Sequence, residues 1–141
     1  MRNSKENKSI NQLMGVTPDE KPIYDSYLVR RCTELCDKPI SEFEIEDYRI
    51  LIGQGIALEF IVRPAIDILS HTLFAEGDYY EGDLLKSILT IDISFWEENP
   101  SLKEDLKQIC LKDFGKIGTL DLSNEIKGSL YTSVRAFTGA K

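Results

Sequence analysis

Four carboxylates within eight residues, Glu76, Asp78, Glu81 and Asp83, form the densest group of chemically capable side chains in the sequence. Carboxylates at such spacing can pair as general acid and base, or gather a hard cation through oxygen ligands. The surrounding pattern favours neither. A calcium loop of the EF-hand type needs acids at alternate positions, a central Gly and a Glu six residues beyond it, and here Tyr79 and Tyr80 fall where ligands belong. The rest of the inventory is sparse. His71 is the only histidine, and no Gly-rich phosphate loop or G-x-S-x-G nucleophile motif occurs. Cys32 and Cys36 would share a helix face, but with Cys110 they make an odd set lacking the histidines or second cysteine pair of a zinc site. All three read as reduced core residues. No catalytic residue, metal ligand or cofactor is assigned, and the chain reads as a non-enzyme. A carboxylate-based metal-dependent hydrolase and a helical adaptor are the alternatives.

Taken together, the same residues suit a protein-binding surface. Paired tyrosines supply anchor area, and like-signed charge around them steers a basic partner. The stretch 76–104 holds eight acids against Lys86 and Lys103, and it contains Trp96, the only tryptophan, followed by Glu97 and Glu98. The candidate binding set is therefore Glu76, Asp78, Tyr79, Tyr80, Glu81, Asp83, Trp96, Glu97 and Glu98. Trp96 and Phe95 suit a core role equally well, and Asp83 also suits the cap of a helix beginning at Leu84.

The elements that must position this set are helical. Residues 1–22 contain Pro18 and Pro22 and lack apolar periodicity, which predicts a flexible lead-in to one helical domain over 23–141. Apolar positions Tyr24, Tyr27, Leu28, Cys32, Leu35 and Cys36 predict a helix ending before Pro39. Ser41-Glu42-Phe43-Glu44 has capping-box form, so a second helix is expected from there to Gly53-Gln54-Gly55. Ile56 to Leu69 is apolar nearly all round and predicts a central helix, with Pro64 either kinking it or dividing it in two at Arg63. Further helices are expected over Leu84 to Thr90, from Ser94-Phe95-Trp96-Glu97, from Ser101-Leu102-Lys103-Glu104 to about Phe114, and over Ser123 to Phe137. Strand-like alternation is nearly absent. The fold class is thus all-α, a single-domain bundle of about six to seven helices around a central apolar helix.

Charge and hydropathy narrow the partners. The chain of 141 residues carries a net charge of −7, and the slightly basic first 22 residues leave about −8 on the remainder, a field that repels nucleic acid and attracts basic proteins. Glu59, Arg63, Pro64 and Asp67 interrupt the longest apolar stretch, which argues against a membrane span. The polar opening from Met1 to Asn11 has no signal-peptide pattern, so a cytoplasmic location is expected.

Several segments resemble a known family. Leu28-Val29-Arg30-Arg31-Cys32, Glu46-Asp47-Tyr48-Arg49-Ile50-Leu51-Ile52-Gly53-Gln54, Leu58-Glu59-Phe60-Ile61-Val62 and Glu76-Gly77-Asp78-Tyr79-Tyr80-Glu81-Gly82-Asp83-Leu84-Leu85 occur in the order and spacing of the contact-dependent growth inhibition immunity proteins, called CdiI. The resemblance spans about residues 26–99, and the last run is its most specific part. It departs at Glu81, where the family commonly has Pro, and at Arg63, where an apolar residue is usual. The resemblance implies a protein that binds and neutralises the C-terminal toxin domain of a cognate CdiA effector in the cytosol. Many such toxins are nucleases, particularly tRNases, which would supply the basic partner.

Overall fold

The computed structural model describes residues 7–15 and 26–139. Among them are eight α-helices: α1 (Ile10–Met14), α2 (Tyr27–Asp37), α3 (Ile45–Gly53), α4 (Leu58–His71), α5 (Asp83–Leu89), α6 (Ile93–Glu98), α7 (Pro100–Asp113) and α8 (Asn124–Thr138), with 3-10 turns at Ile40–Glu42 and Phe114–Thr119. No strand occurs among the described residues; the chain is an all-α bundle, as its periodicity predicts.

The central apolar helix is α4, which buries Ile61, Val62, Pro64, Ala65, Ile66 and Leu69, more residues than any other helix. It is one continuous helix through Pro64. Proline removes one backbone donor, but buried residues on both sides of it keep the helix packed on α3 and α7. Its exposed positions are Glu59, Arg63, Asp67, Ser70 and His71, and among them Arg63 meets Asp105 of α7 at 2.8 Å. The residue that departs from the family pattern thus finds a charged partner rather than an apolar contact. Inside the bundle, α5 presents the fully buried Leu84, Leu85 and Ile88 and packs most closely on α3.

Four helix starts differ from expectation, three of them because a nearby acceptor or a proline defines the first turn. Helix α3 begins at Ile45, not Ser41. The Glu44 amide donates to Asp47 Oδ2 at 3.0 Å, and Phe43 before the cap packs edge-on against Tyr48, ring centroids 5.2 Å apart, as a hydrophobic staple. Helix α6 is capped by Asp92, whose carboxylate accepts from the Ser94 amide at 2.9 Å. Helix α7 starts at Pro100, where a missing N–H costs nothing, rather than at Ser101. At α5 the cap position is Gly82, and Asp83 is the first helical residue. The last helix follows expectation, with Ser123 accepting from the Ile126 amide.

Within the segment read as a lead-in, residues 7–15 are built into the bundle. Ser9 and Gln12 form a capping box on α1, the Ile40 amide donates to the Lys8 carbonyl, and Ile10 is 1% exposed. One apolar side chain, Ile10, carries this docking, a signal too small for periodicity to show. The expected helix start at Tyr24 lies outside the described residues. Tyr27 and Leu28, placed on the inner face by spacing, are exposed on the first turn of α2, whereas Cys32 and Leu35 are buried.

Burial raises the thiol pKa of all three cysteines, that of Cys110 to about 12. Thiolate is the reacting species, so brief alkylation of the native protein near pH 8 is expected to label Cys36, the half-buried one, before Cys32 and to leave Cys110 unmodified. Peptide mass spectrometry reads this directly, and early labelling of Cys110 would contradict the packing of α7.

Candidate functional site

The acidic loop is built around a carboxylate that faces inward. Asp83 is 3% exposed, and its Oδ1 accepts from the Gly77 amide at 2.7 Å while Oδ2 accepts from Tyr79 at 3.0 Å and Tyr80 at 3.4 Å. The Gly82 amide donates to the Phe74 carbonyl, the Asp83 amide to Tyr80, and Glu76 bridges Glu81 in antiparallel register. Residue spacing assigned Asp83 to the cap of the next helix. It instead turns back to collect the amides of the loop before it.

A second carboxylate fixes the loop to α3. Glu46 Oε1 accepts from the Asp78 amide at 2.9 Å and from Arg49 Nε at 2.6 Å. The Arg49 guanidinium then lies 3.9 Å from Asp83 Oδ2 and 4.3 Å from the centroid of the Tyr79 ring, a cation–π contact. Burial pushes the Glu46 carboxyl up, but the hydrogen bonds from Arg49 and the Asp78 amide, with the charge of Arg49, hold it below the usual glutamate range. Tyr80 moves the other way: burial, then the Asp83 charge, raise its phenol.

Gly77 and Gly82 are demanded by this geometry. A Cβ on Gly77 would lie 2.5 Å from Glu46 Oε1 and 3.1 Å from Asp83 Oδ2. Gly82 sits at φ +93, and its Cβ would press on Leu130 of α8 at 3.2 Å. Nearby, Asp47 is 1% exposed and binds Arg31 at 3.0 Å and Lys38 at 2.8 Å, tying α2 to α3.

The candidate residues separate accordingly. Glu76, Asp78, Tyr79, Tyr80 and Glu81 share the loop, and Tyr79 is 71% exposed. Their acids Glu76, Asp78 and Glu81 form no ion pair among the described residues. Asp83 is buried support for them rather than a contact surface. Trp96 is also interior, 4% exposed and edge-on to Phe95 and Phe137 at 5.2 and 5.1 Å, with no partner among the described residues for its buried indole N–H. Glu97 and Glu98 are exposed on α6, at the other end of the α3–α5 pair. The loop is fixed to Glu46 near the start of α3, whereas Glu98 shares a cleft with Gly55 and Ala57 beyond its end; a helix of that length spans about 13 Å. The nine residues therefore do not form one contiguous patch.

Residue reading assigned no role to Glu46, Arg49, Asp47 or Arg31. The available signal was the Glu46 to Arg49 spacing, which places an acid and a base side by side on a helix. No described group of three or more His, Cys, Asp and Glu could hold a metal ion, and no described helix is long and apolar enough to cross a membrane.

A family model described as CDI immunity proteins matches residues 12–106 of the chain. No curated protein and no solved structure matches.

Two outcomes test the site. Gly77→Ala is expected to destabilise the protein by about 1–3 kcal/mol in urea melts, because the methyl displaces two bound carboxylates; an unchanged midpoint would contradict the close approach. Glu46 has a folded pKa below its unfolded value near 4.5. Its contribution is therefore complete above about pH 4.5 and is lost as pH falls through the lower folded value. Glu46→Gln should flatten the stability profile in that acid window, and an identical slope in both proteins would sink the assignment.

Proposed function

The chain belongs to the CDI immunity proteins, and from that premise we propose that it binds and neutralises, in the cytosol, the C-terminal toxin domain of its cognate effector, without enzymatic activity of its own. The observation that carries the reading is the contrast within the loop. The acids beneath it are engaged, while Glu76, Asp78 and Glu81 have no ion pair among the described residues and surround the exposed Tyr79. Glu76 and Glu81 face each other across the bridge, and like charges so placed repel. A basic partner relieves that repulsion on docking.

The toxin surface that fits is the basic substrate cleft of a nuclease, such as a tRNase. The loop carboxylates occupy phosphate positions there, and Tyr79 supplies the anchor that slows dissociation. Long-range attraction raises the association rate by about tenfold to a thousandfold at low salt. Asp83 and Glu46 contribute by holding the loop in shape before the encounter, which lowers the ordering cost of binding. The net charge of −7 acts in the same direction.

Growth of bacteria expressing the toxin domain tests this, with an unrelated immunity protein as control. Rescue is expected from the native chain alone. Combined Glu76→Lys, Asp78→Lys and Glu81→Lys substitutions should lower affinity by at least about tenfold and flatten its salt dependence, with circular dichroism unchanged. Failure of the soluble native chain to rescue would overturn the immunity reading, whereas full affinity in the triple variant would move the interface off the loop.

A further inference from the structure

At the opposite end of α3 the chain turns into α4 against α6, leaving an open cleft of about 510 Å³. Met14, Leu58 and Phe95 give it an apolar lining, Glu59 and Glu98 bring two carboxylates, and among the described residues that line it none is basic. Met14 is 56% exposed, an unusual position for a large apolar side chain beside a bundle. Neither Glu59 nor Glu98 forms an ion pair among the described residues. On the same wall α4 starts with Ala57 at φ 56 and without a side-chain cap, so its first amides lack a side-chain acceptor.

From this arrangement we infer that the cleft receives a lysine or arginine side chain of the partner protein. The methylene stem lies on Met14, Leu58 and Phe95, as long basic side chains cover apolar surface while keeping their charge in a polar setting. The cation meets Glu59 and Glu98, and a carbonyl of the same partner segment accepts from the uncapped first turn of α4. Charge complementarity selects this occupant: an acidic chain draws a basic protein, and a purely apolar segment would leave both carboxylates to be desolvated unpaired. The length of α3, about 13 Å, separates the cleft from the loop. That is well within the span of a standard interface of about 800 Å² per partner. The inference rests on the immunity reading and adds a second contact to it.

Affinity of the full chain for the toxin domain tests it, using the native chain, the Glu59→Gln, Glu98→Gln double variant, and Ser94→Arg, which fills the cleft with a cation of the chain's own. All three changes lie at exposed positions, and melting temperatures verify the fold. Both variants are expected to bind at least about tenfold more weakly, with the loss adding to that of the loop variant. Native-strength binding by both variants would overturn the cleft while leaving the immunity reading intact. A native chain that binds no toxin domain would overturn the immunity reading, and the cleft with it.

Discussion

The structure around the candidate site depends on one buried carboxylate. Asp83 is almost out of water, and such a charge is costly unless its lone pairs are filled. Three amides of its own loop and the nearby Arg49 meet that need. The requirement propagates outward. To bring those amides within reach the chain must pass close against Glu46 and Asp83 at Gly77, and to bring Asp83 back under the loop it must pass through the left-handed conformation at Gly82. Leu84 and Leu85 then follow directly into the core, so loop and packing are fixed by the same few residues.

The most recognisable segments of the sequence meet in this arrangement. Arg31 from the first binds Asp47 from the second, and Glu46 and Arg49 from the second hold Asp78, Tyr79 and Asp83 of the fourth. Their shared work is to join α2, α3 and the loop into one rigid corner. Under the proposed function, recognition of a toxin falls to what this corner displays: acids without an ion pair among the described residues, the Tyr79 ring and the neighbouring surface.

Legibility in the sequence followed from how local each signal was. The helical class, the buried face of α4 and the Ser123 cap depend on residues within a turn or two of one another, and spacing showed them. The first turns of α3, α6 and α7 shifted because several capping patterns overlapped, and staple packing by Phe43, the short reach of Asp92 and the ring of Pro100 decided among them. Docking of Ile10 and burial of Trp96 depend on partners far along the chain, which periodicity does not contain. The candidate site was legible as a loop of acids and tyrosines. That Asp83 faces inward was not, because its partners are backbone amides, which every sequence supplies equally.

Amide hydrogen exchange, followed residue by residue in the free chain and again with the toxin domain bound, tests the central claim most directly. A prebuilt corner predicts that the Gly77, Tyr79 and Tyr80 amides are already slow in the free chain. Binding should then add protection along 76–81 without altering the pattern in α3 and α5. Fast exchange at Gly77 and Tyr79 in the free chain, or protection on binding that bypasses the loop altogether, would contradict it.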